Sequence, residues 1–210
     1  MCCLVHDLIR ELMQIADSES CEGRQREGLS RIIQFFQDAV SAPEKCKVPV
    51  IAAITGNCIG GAIDLVTACD LRYSTDDALF SVKETDLGIV ADLGTLQRLP
   101  KLIGEQRTRE LVYTSRAFNG KEAKAMGLVL DSFPTKDELD AHVLAIAKSI
   151  SEKSPLAVRG SKRVLLYSRD HSVDESLQQV KLWNSAHVLS DDLKESVAAA
   201  MSKRTPNYRN

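Results

Sequence analysis

The stretch that most constrains this chain is a short apolar strand, a glycine turn and a helix that contains one carboxylate. Pro49 precedes the β-branched run VIAAIT, which is typical of a buried strand. The next residues, NCIGGAIDLVTACD, predict a turn at Gly60-Gly61 and a helix over about residues 60–68. Asp64 lies among apolar residues of that helix, where a charge is costly unless it is paired or used. The sequence therefore predicts a strand–turn–helix unit with a candidate functional acid.

The start of that helix is a candidate site for negative charge, because the first backbone N–H groups of a helix have no intrahelical partner. The sequence has no G-x-x-x-x-G-K-[ST] and no complete G-x-G-x-x-G, so nucleotide-phosphate binding has little support. Taken alone, Gly60-Gly61 also fits an ordinary tight turn. Asp64 likewise fits an acid that only complements the helix dipole. Both alternatives stay open at this point.

Further acids follow in the segment FSVKETDLGIVADLGTLQRLP. Glu84 and Asp86 come after a predicted strand, and Asp92 stands at the start of a helix predicted over about residues 92–103. Asp92 also fits an N-cap, and Asp86 fits a solvated loop acid. Carboxylates in a partly apolar pocket can have pKa values that are raised and pushed apart, so that one is a base and another an acid. With a helix N-terminus facing them, they suit proton abstraction beside a carbonyl.

Alternating strands and helices predict an α/β class with a helical C-terminal end. We divide the chain into an N-terminal helix and loop, an α/β core and a helical region, at residues 1–28, 29–135 and 136–210. Ser172 and Glu175 have the spacing of a capping box. Further helices are predicted at 4–16, 29–41, 105–114, 120–126, 136–152, 155–167 and 173–201, further strands at 71–82 and 128–133, and a polar loop at 17–28.

Composition excludes several classes of function. The chain has 210 residues, of which 44% are hydrophobic, and this suits one globular domain with a core of its own. A net charge of −2 gives no electrostatic basis for binding nucleic acid. No apolar stretch approaches the roughly 20 residues of a membrane span. Six cysteines without a C-x-x-C pair predict no zinc site and indicate reduced thiols inside a cell.

The segment KVPVIAAITGNCIGGAIDLVTACDLRYSTDDALFSVKETDLGIVADLGTLQRLPKLIG resembles the enoyl-CoA hydratase/isomerase (crotonase) superfamily. Within it, the sequence is most similar to the Δ3,5-Δ2,4-dienoyl-CoA isomerases. The resemblance continues through FNGKEAKAMGLV, KSPLAVRGSK, YSRDHSVDESL and WNSA, so it covers about residues 46–203. It implies a crotonase-like ββα spiral core, incomplete at the N-terminus, with a C-terminal helical trimerisation region.

The resemblance also implies roles for four residues. Gly61 matches the glycine whose backbone N–H is one of two oxyanion-hole donors to the thioester carbonyl. Asp64, Glu84 and Asp92 match the three catalytic acids, with spacings of twenty (84 − 64) and eight (92 − 84) residues. The hydratases of the superfamily have glutamates at the first two positions and no acid at the third. Asp64 together with Asp92 therefore favours the isomerase over the hydratase.

The implied reaction converts a 3,5-dienoyl-CoA to a 2,4-dienoyl-CoA in fatty acid β-oxidation. Asp92 would remove a proton from C2, Glu84 would return one at C6, and Asp64 would orient or tune the site. The resemblance implies an acyl-CoA thioester as substrate and assembly into a homo-trimer or hexamer. It implies no metal, and no cofactor other than the CoA that is part of the substrate. It also implies a peroxisomal or mitochondrial location, although neither an S-K-L-type C-terminus nor an Arg-rich transit peptide is visible.

The sequence departs from the superfamily in its N-terminal part. Relatives carry early strands and a segment like SGIDL that supplies the second oxyanion donor, and no such segment stands in this sequence. Loss of one oxyanion donor typically lowers the rate by about 10²–10³-fold. We therefore expect an N-terminally truncated isomerase, with a weak or silent family member that assembles with full-length subunits as the alternative.

Overall fold

The computed structural model describes residues 21–209, so the helix predicted at 4–16 lies outside the described residues. The helices are α1 (Glu22–Val40), α2 (Ala42–Lys45), α3 (Gly61–Thr67), α4 (Thr95–Ile103), α5 (Glu105–Thr114), α6 (Gly120–Met126), α7 (Lys136–Ser151), α8 (Pro155–Tyr167), α9 (Val173–His187) and α10 (Asp191–Met201). The strands are β1 (Ile51–Ile54), β2 (Asn57–Ile59), β3 (Leu71–Thr75), β4 (Leu79–Ser81), β5 (Phe118–Asn119) and β6 (Asp131–Phe133). A 3₁₀ helix spans Glu84–Leu87.

The strands form two small sheets, and the chain crosses between them four times. The first sheet has the order β1-β3-β6 and is parallel throughout, with Ile51 opposite Leu71 and Tyr73 opposite Asp131. The second has the order β2-β4-β5, with β2 parallel and β5 antiparallel to β4. Each of the pairs β1–β2 and β3–β4 thus contributes one strand to each sheet, with α3 between the pairs. This is the ββα repeat expected from the resemblance.

The chain forms two compact units, and the first comprises residues 21–45 and 50–140. Its core lies between the sheets and helices α3 to α6, where the Phe80 and Phe118 rings stack with centroids 5.3 Å apart. The largest fully buried apolar side chains there include Phe80, Ile63, Leu99 and Leu111. This core fixes the positions of α3 and of the chain that follows β4.

The second unit comprises residues 46–49 and 141–209. Within it, Trp183 of α9 packs against Gly160 of α8, and the Arg163 guanidinium lies over the indole, 5.4 Å from its centroid. The buried Lys162 ammonium donates to the Val48 carbonyl oxygen at 3.0 Å, which ties residues 46–49 to this unit. The predicted capping box of Ser172 and Glu175 is confirmed at the start of α9. No helix within residues 21–209 combines the length and the apolar character needed to cross a membrane.

The structure corrects several predictions made from local sequence. The polar segment predicted as a loop at 17–28 is helical from Glu22, because charged residues with good helix propensity form an exposed first part of α1. The strand predicted at 71–82 is two strands in different sheets. The helix predicted at 173–201 is interrupted between His187 and Asp191, where Ser190 caps α10. The short strands β2 and β5 were not predicted.

Candidate active site

Helix α3 presents its N-terminus at the end of β2. Gly60 is its N-cap residue and donates its backbone N–H to the Ser81 carbonyl oxygen of β4 at 2.9 Å. Gly61 is the first residue of the helix and is buried. The first N–H groups of a helix have no intrahelical acceptor, so this end of α3 offers backbone donors to an anionic oxygen. The role of oxyanion-hole donor that the resemblance implies for Gly61 needs such a donor and stays a prediction.

Asp64 is the fourth residue of α3, and only 1% of its surface is exposed. Its Oδ1 accepts the backbone N–H of Thr95, the first residue of α4, at 2.6 Å. Burial raises the pKa of Asp64, hydrogen bonding to Thr95 lowers it, and negative charge on Asp92 raises it again. Asp64 therefore does more than complement the dipole of α3, because its carboxylate fixes the start of a second helix.

Glu84 stands at the start of the 3₁₀ helix, two residues beyond Val82, and 8% of its surface is exposed. Its Oε2 is buried and has no hydrogen-bond partner among the described residues. Burial raises the pKa of Glu84, hydrogen bonds from the backbone lower it, and negative charge on Asp64 and Asp92 raises it again. A buried carboxyl oxygen without a partner is unusual in a stable protein and favours the protonated form.

Asp92 lies between the 3₁₀ helix and α4 and is half-buried. The helix predicted from residue 92 begins only at Thr95, and its N-cap residue is Gly94. The alternative of Asp92 as an N-cap is therefore wrong. Burial raises the pKa of Asp92. By contrast, Asp86 is exposed and pairs with Lys83, as expected for a solvated loop acid.

The structure brings Asp64, Glu84 and Asp92 into one electrostatic cluster. The charges of Asp64 and Asp92 both act on Glu84, and the charge of Asp92 acts on Asp64, so the three groups are close enough to influence one another. Burial raises the pKa of all three carboxyl groups, and negative charge on neighbouring acids adds to the rise for Asp64 and Glu84. Carboxyl groups whose pKa values are shifted in this way are candidates for a general acid and a general base.

Two contacts of this cluster were not predicted from sequence. The Thr95 N–H that binds Asp64 is a backbone group and leaves no sequence signal. The Gln37 side chain of α1 donates to the Asp92 carbonyl oxygen at 2.7 Å across 55 positions of the chain, a separation that local patterns do not report. Among residues 21–209, no three His, Cys, Asp or Glu side chains are grouped so that they could hold a metal ion.

Comparison with known proteins decides the family. A family model described as enoyl-CoA hydratase/isomerase matches residues 17–210. The chain belongs to the enoyl-CoA hydratase/isomerase family. The match begins closer to the N-terminus than the resemblance seen over residues 46–203, and it therefore includes helix α1.

Among curated members of the enoyl-CoA hydratase/isomerase family, the chain is similar to peroxisomal Δ(3,5)-Δ(2,4)-dienoyl-CoA isomerase of Arabidopsis thaliana. The two are 54% identical over 193 residues, which cover 92% of this chain and 69% of the relative. It is also 49% identical to the mitochondrial isomerase of that name from Mus musculus, over 94% of this chain and 60% of the relative. The chain thus spans roughly three fifths to two thirds of these relatives' length.

Solved structures in the enoyl-CoA hydratase/isomerase family have the same fold. The crystal structure of enoyl-CoA hydratase from Bacillus anthracis superimposes with a TM-score of 0.82 at 30% identity. The superposition covers 99% of this chain and 89% of that one. The crotonase-like fold expected from the sequence is confirmed.

Proposed function

We propose that this chain is a Δ3,5-Δ2,4-dienoyl-CoA isomerase. The observation that carries the proposal is the cluster of three acids with raised pKa values beside the N-terminus of α3. The identity to curated dienoyl-CoA isomerases supports the same reaction. Acids at both positions 64 and 92 favour isomerisation over hydration.

In the proposed reaction, the Asp92 carboxylate removes a proton from C2 of a 3,5-dienoyl thioester. Electrons move onto the thioester oxygen to give a dienolate, which the Gly61 N–H and the positive end of the α3 dipole stabilise. The electrons then return from the oxygen, the Glu84 carboxyl gives its proton to C6, and the two double bonds end in conjugation with the carbonyl. The product has the same composition as the substrate, and no cofactor is needed beyond the CoA moiety of the substrate. Proton exchange with water then returns Asp92 to its carboxylate and Glu84 to its carboxylic acid.

The environments of the two acids support this division of roles. Glu84 is more buried than Asp92, and its pKa is raised by burial and by the charges of Asp64 and Asp92, whereas backbone hydrogen bonds lower it. A proton donor must keep its proton at neutral pH, whereas a base must have lost its own. Asp64 accepts the Thr95 N–H, so we assign it the orientation of the site and no proton transfer.

We also propose an assembly and a location. Exposed apolar side chains on α8 to α10 support a homo-trimer or hexamer built through the C-terminal helices. The names of the relatives, peroxisomal and mitochondrial, support one of these two compartments for this chain.

The proposal is tested by following the absorbance of the conjugated 2,4-dienoyl product after the purified chain is mixed with a 3,5-dienoyl-CoA. Removal of a general acid or base typically lowers the rate by about 10²–10⁴-fold, and we expect this loss for Asp92→Asn and for Glu84→Gln. Asp86→Asn is the matched control, because Asp86 lies two residues from Glu84 but is exposed and paired with Lys83.

Full activity in Asp92→Asn or Glu84→Gln would overturn the assignment of these acids. No turnover by a folded wild-type chain would favour the alternative, a catalytically silent family member that assembles with longer subunits.

A further inference from the structure

The backbone of residues 92–95, called the 92–95 turn below, connects the proposed base Asp92 to the N–H group that binds Asp64. Asp92 at its start carries the proposed base, and Thr95 at its end donates the N–H that binds Asp64. Asp92 and Leu93 precede α4, so helical hydrogen bonds do not fix them. Other contacts must hold this turn if the acids are to keep their geometry.

One such contact comes from α1. The Gln37 side-chain amide is partly buried and donates to the Asp92 carbonyl oxygen at 2.7 Å. The neighbouring Phe36 and Val40 form an apolar cluster with Leu93, and Leu65, the residue after Asp64, packs against the same cluster. Helix α1 therefore contacts the chain beside two of the three acids, through a hydrogen bond and through apolar packing.

The second contact comes from Arg98 in the first part of α4. Its guanidinium donates to the Leu93 carbonyl oxygen at 3.3 Å, to Ser41 Oγ at 2.8 Å and to Glu44 Oε2 at 3.0 Å. Arg98 and Glu44 are 13% and 15% exposed, so solvent screens this ion pair weakly. The turn is thereby linked to α2 as well as to α1.

Gly94 allows the Arg98 side chain to take this position. Gly94 has φ +127°, and a Cβ at this residue would lie 1.8 Å from Arg98 Nη1. The guanidinium thus occupies the space that any other residue at position 94 would fill with its side chain. The absence of a side chain at Gly94 therefore leaves room for the contact of Arg98 with the turn.

We propose that Gln37 and Arg98 are positioning residues that hold the 92–95 turn, and through it Asp92 and the Thr95 N–H, in the geometry that proton transfer requires. This inference rests on the proposed function and deepens it. Neither side chain is assigned a contact with substrate. Each donates to a backbone carbonyl of the turn, and the positive charge of Arg98 also lowers the pKa of Asp64.

The test compares Gln37→Met with Gln34→Met. Met keeps the length of the side chain and removes the amide donor, while Gln34 is an exposed residue of the same helix whose amide donates to Asp38 at 3.2 Å. Amide hydrogen exchange of a peptide covering residues 91–99 is measured first, because it needs no activity. We expect faster exchange in Gln37→Met, with the Thr95 amide as the reporter, and none of this change in Gln34→Met.

Steady-state kinetics with a 3,5-dienoyl-CoA form the second arm. Misplacement of a catalytic group by about 1 Å can lower the rate by about 10²-fold, so we expect kcat of Gln37→Met to fall by up to that factor. KM is expected to stay within about twofold, because substrate contacts are unchanged. Arg98→Lys keeps the charge but loses the planar fork, and we expect the same split of kcat and KM.

Unchanged exchange in both Gln37→Met and Arg98→Lys would overturn the proposal. Faster exchange with full kcat would also overturn it, since the turn would then move without affecting catalysis. If the wild-type chain turns over no dienoyl-CoA, the proposed function fails, whereas the exchange rates still decide whether the two side chains hold the turn.

Discussion

At the scale of single residues, the three acids differ in what surrounds them. Asp64 is bound by a backbone N–H, Glu84 has a buried oxygen without a partner among the described residues, and Asp92 is half-buried. Burial is the largest cause of the raised pKa in each case. Such a cluster stores unfavourable electrostatic free energy, which is common where a site is kept for chemistry.

The raised pKa of Glu84 makes a prediction about stability. The folded pKa lies above the unfolded value, so the contribution of this group is most favourable below the unfolded pKa and is lost as the pH rises through the folded pKa. Glu84→Gln removes this titration. We expect the free energy of unfolding of the variant at about pH 8 to exceed that of the wild type by roughly 0.5–2 kcal/mol. The difference should shrink toward about pH 5.

Urea unfolding over this pH range measures the effect. Asp86→Asn is a control with the opposite sign, because the hydrogen bond from Lys83 lowers the pKa of Asp86 and its charged form is the favourable one. A Glu84→Gln variant that is less stable than the wild type at every pH would contradict the electrostatic account.

At the scale of elements, helices of the first unit start where strands end. Helix α6 begins at Gly120, whose N–H donates to the Asp76 carbonyl oxygen beyond β3 at 3.1 Å. A Cβ at Gly120 would lie 2.0 Å from the Thr75 carbonyl oxygen and 2.8 Å from Ser74 Oγ. The backbone of α6 thus approaches β3 more closely than any residue with a side chain would allow.

Gly120→Ala is therefore expected to lower the free energy of unfolding by about 1–3 kcal/mol, since the backbone must move to admit the methyl group. The measurement is chemical denaturation. Gly23→Ala in the exposed first turn of α1 is the control, where the nearest atom to an added Cβ is Cys21 Sγ at 4.0 Å. We expect that control to change stability by no more than about 0.5 kcal/mol. Equal effects of the two variants would contradict the close approach of α6 to β3.

At the scale of the whole molecule, the exposed surface of the second unit is the one we propose for self-association. The second unit carries large exposed apolar side chains, among them Leu165, Leu182 and Met201 on its helices and Leu189 in the turn between α9 and α10. Leu189 and Met201 are 86% and 83% exposed. Contiguous exposed apolar surface commonly marks a protein–protein interface. This is the surface through which we propose that copies of the chain associate.

We expect Leu189→Glu combined with Met201→Glu to shift the chain to a smaller species in sedimentation velocity, because a carboxylate in an apolar interface is costly to bury. Gln106→Glu, an exposed polar residue of α5 in the first unit, is the control for added charge and should leave the sedimentation coefficient unchanged. An unaltered distribution of species in the double variant would place the interface elsewhere.

Local patterns in the sequence determined the elements with a strong signal. They predicted β1 and α3 closely, and α5, α6 and α8 to the residue, because each combines a regular apolar pattern with a clear start or end at proline, serine or glycine. They also singled out Asp64, a charge in an apolar helix, before any fold was known.

Only the tertiary structure decided how the acids are arranged. Several features of the site depend on groups that are far apart in the chain. They are the split of residues 71–82 into strands of two sheets, the start of α4 at Thr95, and the contacts of Gln37 with Asp92 and of Asp64 with the Thr95 N–H. The physical reason is that burial and long-range hydrogen bonds set both the pKa values and the positions of these groups. Neither quantity is a property of a residue and its neighbours in sequence.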